Sequence, residues 1–143
     1  MNAHKGIAWA DVREGQDLPP LTFPVTYRTL AMDVAGTRDI YPIHHDPVFA
    51  RNNGARGIFL NTMWYQGLIG RFINQWGGPE SFLRKLGISM KAHGCPGDVL
   101  TVHGTVTRVY PGEGGLGLVD IAVRIDNQTQ TGAVIASVTV ELP

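Results

Sequence analysis

The chain has a single cysteine, Cys95, so no disulfide can close within it, and a reducing compartment suits it. It has no excess of charge of either sign. Lys and Arg number 12, Asp and Glu number 12, and the net charge with neutral His is zero. That balance argues against nucleic acid or an acidic membrane surface as a partner. It has no long apolar run either. The most apolar segment, Ile58 to Trp76, is broken by Asn61, Gln66, Arg71, Asn74 and Gln75, and falls short of a membrane span. Met1 to Glu14 mixes charges with small residues and lacks the apolar core of a signal peptide. The expected location is the cytoplasm. Cys95 sits in Gly94-Cys95-Pro96-Gly97, which reads as a turn between strands and makes the thiol a passive residue.

What is present is an ordinary globular balance over 143 residues, 43% apolar and 17% charged. That is enough for one domain with a real core, 1–143, and too little for two. Residues 1–20 read as a loosely held lead-in. Leu21 to Tyr27 alternates Phe23, Val25 and Tyr27 around Pro24, a short edge strand or extended arm. Thr29 to Ala35 reads as a short helix, and Asp46 or Pro47 opens another that Gly54 stops. A longer helix is predicted from an N-cap at Asn61 or Thr62 to about Gln75 or Trp76, ended by Gly77-Gly78-Pro79. Its helical period gathers Trp64, Tyr65, Leu68, Ile69, Phe72, Ile73 and Trp76 on one broad half.

Four alternating stretches follow, centred on Leu86–Met90, Leu100–Val106, Val119–Ile125 and Val134–Leu142, with turn chemistry between them. Short connections favour an antiparallel meander. A helix apolar over half its girth needs a sheet to wrap it. The expected fold is therefore α+β, a curved antiparallel sheet around one long central helix. An open sheet of this size leaves edges, so pairing with a second subunit is expected.

The chemistry concentrates in Thr37-Arg38-Asp39-Ile40-Tyr41-Pro42-Ile43-His44-His45-Asp46-Pro47. Two prolines stiffen it and exclude a helix interior. Asp39 and His44, five apart across the rigid turn, can aim a carboxylate and an imidazole at one water, the minimum for moving its protons. The bland alternative is a turn-capping Asp and a packed His. A metal site from His44, His45 and Asp46 is disfavoured, because adjacent side chains rarely ligate one ion and no outlying ligand pattern completes a shell. His4, His93 and His103 read as surface or sheet residues without companions.

Asp39-Ile40-Tyr41-Pro42-Ile43-His44, followed by Asp46, Ala50 and Gly54, resembles the hydratase motif of the MaoC-like enoyl-CoA hydratases. That motif reads Asp-x-Asn-Pro-Ile-His, then an Asp, an Ala and a Gly at matching spacing. Ile58 to Met63 falls where the family has an apolar pair followed by His-Gly-Met, and Cys95-Pro96-Gly97-Asp98 is similar to its Gly-Asp turn. The resemblance implies a hot-dog fold and reversible addition of water to a trans-2-enoyl-CoA, with no cofactor beyond the coenzyme A of the substrate. It implies that Asp39 holds the water and His44 shares the proton transfers. Thr62 takes the place of the helix-start Gly, so its backbone N–H is the oxyanion donor. Arg38, Asn61, Met63 and Trp64 are the expected substrate contacts.

The departures are Thr37-Arg38 for Ser-Gly, Tyr41 for Asn, and Asn61-Thr62-Met63 for His-Gly-Met. Thr-Arg-Asp before His-His-Asp, then Ile-Phe-x-Asn, resembles the small catalytic subunit of heteromeric hydratases acting on steroid side-chain enoyl-CoA esters. A homodimer, or a heteromer with a second hot-dog subunit, is implied. Two rival functions share the fold: an acyl-CoA thioesterase and a non-catalytic acyl-CoA-binding subunit.

Overall fold

A computed structural model describes residues 6–143. Its centre is a 16-residue helix, Thr62–Gly77. Two shorter helices precede it, so they are α1, Tyr27–Thr37, α2, Pro47–Asn52, and α3, the long one. Asn61 caps α3, its side-chain oxygen accepting the Trp64 N–H at 2.9 Å. Gly78 stops it at φ 82°, a conformation that only glycine adopts without strain. Tyr65, Leu68, Ile69, Phe72 and Ile73 are buried, while Trp64 and Trp76 lie half-buried at the margins of that face.

Five strands wrap this face: β1 Leu21–Pro24, β2 Phe82–Met90, β3 Val99–Pro111, β4 Gly117–Asp126 and β5 Val134–Leu142. They form one antiparallel sheet in the order β1-β3-β4-β5-β2. Period-2 alternation turns Val102, Val106, Val119, Ile121, Val123, Ile125, Val138 and Val140 into the core shared with α3. The simple meander expected for the last four strands holds only for β3-β4-β5. β2 pairs with β5, Leu86 opposite Val138 and Ile88 opposite Ala136, and never meets β3. The reason lies in residues 91–98, which are no hairpin. Lys91 and Ala92 both donate to the Ala133 carbonyl, Gly94 O accepts from Leu60, and Gly97 donates to Val25 O. The segment thus crosses from one side of the sheet to the other, past the residues leading into α3.

The boundaries of α1 and β1 differ from expectation, and α1 runs past Ala35 to Thr37. α1 begins at Tyr27 because Thr26 and Thr29 form a reciprocal capping box, which cuts the arm strand to Leu21–Pro24. The lead-in, where it is described, is held firmly. Val12 and Leu18 are buried. Gly15 N–H donates to Val106 O, Val106 N–H to Gln16 O, and Leu18 N–H to Gly104 O, at 2.8–2.9 Å, while Trp9 N–H reaches Pro143 O at 2.8 Å. Two widely spaced apolar anchors and main-chain bonds do this work, and neither makes a pattern readable in a polar stretch. The part of that expectation covering residues 1–5, with His4, lies outside the described residues.

Tyr65, in the first turn of α3, is fully buried, and its hydroxyl has no hydrogen-bond partner among the described residues. The Gly94 backbone approaches it without completing a bond. Burial, then the charge of Asp98, push the phenol far above its ordinary range. Tyr65→Phe is therefore expected to raise stability, by about 1 kcal/mol, because it removes a buried polar group that gains nothing in return. Urea unfolding of both forms measures it, and a loss of stability would mean that the hydroxyl has a partner.

Candidate active site

The rigid turn folds as its prolines dictate. α1 ends at Thr37 and is capped by Arg38, whose φ of 59° is left-handed. Pro42 starts a single 3-10 turn, Pro42–His44, and Asp46 then caps α2 by accepting the Val48 and Phe49 N–H groups. This path brings His44 Nε2 to 3.3 Å from Asp39 Oδ2. The imidazole is nearly buried and the carboxylate partly open, with side-chain exposures of 9% and 27%. Asp39 Oδ1 also accepts the Tyr41 N–H at 3.3 Å.

The other ring nitrogen of His44, Nδ1, lies 2.6 Å from the Phe59 carbonyl oxygen. A carbonyl only accepts, so Nδ1 carries the proton, and in the neutral ring Nε2 presents a lone pair toward Asp39. Phe59 is itself clamped. Its ring stacks on His93, centroids 3.8 Å apart and nearly parallel, and meets His44 edge-on at 5.1 Å. His93 thus has a companion, contrary to expectation, and burial, followed by the charges of Arg56 and His44, holds its imidazole below the usual range. His103 also has one, Asp126 at 3.3 Å on the sheet surface. His45 turns away to the Ile40 carbonyl, 3.0 Å from its Nε2.

The start of α3 is joined to this region through Phe59, three residues before Thr62, whose carbonyl holds His44. Helix geometry leaves the first amides without partners. Asn61 takes that of Trp64, while the Thr62 and Met63 N–H groups stay free among the described residues. Met63 thus offers a free N–H beside that of Thr62. Of the expected substrate contacts, Met63 and Trp64 line a cavity of ≈ 440 Å³ together with Phe23, Met32 and Leu68. Neither Asp39 nor His44 lines it, so this space lies beside the pair rather than around it. Arg38 is exposed and makes no ion pair among the described residues. Asn61 is 3% exposed and committed to structure, its Nδ2 donating to Thr37 Oγ1 at 2.8 Å and its oxygen accepting the Trp64 N–H of the helix cap. It is not open to a ligand.

One residue of this region went unseen in the sequence. Asp33 on α1 is buried and lines the cavity. Burial raises its carboxyl above the usual range, opposed by the Asn61 N–H and the nearby His44. Its available signal was the four-residue step to Thr37, which sets both on one helix face. Cys95 is buried, and that burial pushes its thiol up.

No protein-family model matches the chain. Over 98 residues it is 30% identical to the 3-oxo-4,17-pregnadiene-20-carboxyl-CoA hydratase beta subunit of Mycobacterium tuberculosis, covering 68% of this chain and 76% of that one. It superposes on a chain of the ChsH1-ChsH2 complex from Mycobacterium tuberculosis with a TM-score of 0.84 and 27% identity, over 92% of this chain and 98% of that one. An (R)-hydratase from A. caviae involved in PHA biosynthesis matches with a TM-score of 0.81 and 25% identity, over 93% and 98%. A sheet curled around one long helix, in company with these relatives, defines a hot-dog protein of the hydratase class. The chain belongs to the MaoC-like hot-dog family of enoyl-CoA hydratases and dehydratases. Among the described residues no helix is long and apolar enough to cross a membrane.

Proposed function

We propose that the chain catalyses reversible hydration of a trans-2-enoyl-CoA to a 3-hydroxyacyl-CoA, with Asp39 and His44 as its acid-base pair. One observation carries this reading: His44 Nδ1 lies 2.6 Å from the Phe59 carbonyl while its Nε2 lies 3.3 Å from Asp39 Oδ2, so that a neutral His44 turns its lone pair to the carboxylate. Two facing acceptors suit a molecule with two donors, and water has two. In the forward direction His44 Nε2 takes one proton as the water oxygen bonds to C3. Asp39 holds the other hydrogen and sets the angle of attack. The C2–C3 π electrons move toward the thioester, whose oxygen becomes an enolate facing the Thr62 and Met63 amides. The enolate then collapses, and C2 takes a proton from His44. Both additions occur on the face that the pair presents. Thioester hydrolysis needs only the water, whereas hydration also needs a proton delivered to carbon, which an imidazole beside a carboxylate provides.

The acyl group is bulky, and a second subunit completes the site. The 30% relative is by its name the beta subunit of a hydratase for a pregnadiene carboxyl-CoA, which makes a steroid side-chain ester the first substrate to try. Ile40 and Tyr41 on the turn that carries the pair, Val48 on α2 just after it, and Met63 at the start of α3 are large, apolar and exposed, as a surface awaiting a partner would be. β2 is an edge strand, open on its outer side among the described residues.

The test is loss of the ultraviolet absorbance of the conjugated enoyl thioester. The protein is assayed on crotonyl-CoA and on a steroid side-chain enoyl-CoA, alone and with a second hot-dog chain. Hydration of the steroid ester only in the mixture is the expected result. Release of free thiol without hydration would replace this reading with a thioesterase, and binding without either reaction would replace it with a non-catalytic subunit.

A further inference from the structure

Asp33 has no step in the reaction above, yet it is the most deeply buried carboxylate of the region, 2% exposed. A buried ionisable group is costly unless its oxygens are bonded, so its partners indicate what it holds. Its Oδ2 accepts the main-chain N–H of Asn61 at 3.0 Å, across 28 positions of sequence. Asn61 in turn caps α3 through its oxygen and donates its Nδ2–H to Thr37 Oγ1 at 2.8 Å. Thr37 Oγ1 gives its own proton to the Asp33 carbonyl at 2.6 Å and receives, at 3.4 Å, the N–H of Asp39. The circuit closes. At one end is the backbone of Asp39, and at the other the residue immediately before the free Thr62 and Met63 amides.

We propose that Asp33 is a positioning residue whose carboxylate locks the first amides of α3 to the turn that carries Asp39. The distance between enolate and water is then set by a buried side-chain network rather than by the exposed turn alone. Tying down Asn61, and not Thr62, leaves the donors of α3 unspent. The catalytic consequence rests on the hydratase reading; the structural one does not.

Two variants separate the roles. Asp33→Asn keeps an oxygen acceptor for the Asn61 N–H, and Asp33→Leu fills the same volume without one. Hydrogen exchange of segments 37–41 and 59–64 is compared in the two, together with kcat and KM for the enoyl-CoA that the wild type hydrates. Asp33→Leu should speed exchange in both segments and lower kcat about 10²-fold, the scale of a misplacement near 1 Å, with KM changed less than about threefold. Asp33→Asn should stay within about threefold of wild type in kcat, on the same principle. Wild-type kcat in Asp33→Leu, or equal damage in both variants, would overturn the proposal. If Asp33→Leu does not fold, Thr37→Val breaks the other limb, and an unchanged kcat there overturns it equally. If the wild type hydrates no enoyl-CoA even with the second hot-dog chain present, the hydratase reading falls by itself. Exchange then decides on Asp33 alone, and unaltered exchange in Asp33→Leu refutes it.

Discussion

Asp39→Asn should slow enoyl-CoA hydration by about 10²–10⁴-fold and leave the fold as it is. The substitution is nearly isosteric. The Asn carbonyl can still accept the Tyr41 N–H that Asp39 Oδ1 accepts at 3.3 Å, so the turn keeps its internal bond. The side chain is partly open to solvent, so losing its charge disturbs little packing. What is lost is one of the two acceptors that face each other at 3.3 Å. An amide can also present its NH2 to Nε2, which would occupy the lone pair meant for water. His44→Ala should cost activity on the same scale but will be harder to interpret. It also leaves the Phe59 carbonyl without its donor and removes the edge contact to the Phe59 ring, so stability should fall with activity. Steady-state rates on one enoyl-CoA, with thermal melts of all three proteins, separate the two effects. Equal rates for wild type and Asp39→Asn would take Asp39 out of the chemistry.

Much of the architecture could be read from periodicity. The 100° spacing of Tyr65, Leu68, Ile69, Phe72 and Ile73 marked α3 and its buried face, and Asn61 followed by Gly77-Gly78 marked its ends. Alternation marked β3, β4 and β5 because one face of each is buried against that helix. The pairing of β2 was beyond such reasoning. Its neighbour is decided by where residues 91–98 cross, and that path depends on bonds to Leu60, Val25 and Ala133, all distant in sequence. The anchoring of the lead-in was hidden for a similar reason, because main-chain bonds to Gly104 and Val106 leave no trace in side-chain identity.

The site divides along the same line. Asp39, His44 and the start of α3 stand out because prolines and a cap residue surround them. The partner that fixes the His44 tautomer is the carbonyl of Phe59, a group every residue carries, so no sequence pattern could announce it. Asn61 was expected as a substrate contact from the family resemblance, since it falls in the segment that aligns with the His-Gly-Met of the family. In three dimensions its donors and acceptor are taken up by Thr37, Asp33 and Trp64. Asp33 sat unnoticed in a helix whose boundaries were drawn too short, which concealed that it and Thr37 share a face.

Phe72→Ala should destabilise the protein by about 3–5 kcal/mol, the scale for truncating a buried aromatic side chain. Phe72 lies on α3 midway along its buried face, 2% exposed. Its ring packs against Gly104 of β3 so closely that a Cβ there would stand 2.8 Å from ring Cε1 and 3.2 Å from Cζ. The same Cβ would come within 3.3 Å of Leu18, the buried anchor of the lead-in. Gly104→Ala alone should therefore cost about 1–3 kcal/mol through overpacking. The two effects should not add. Without the Phe72 ring the added methyl enters the vacated space, so the double variant should be more stable than the sum of the singles by about 1 kcal/mol or more. Urea unfolding of the four proteins gives this coupling directly. Additivity within about 0.5 kcal/mol would mean that ring and glycine do not touch. A positive coupling has a consequence for the chemistry. The amides of Thr62 and Met63 sit at the start of a helix whose middle packs against β3, so in the reading proposed above the sheet would set their height and the Asp33 network their approach to Asp39.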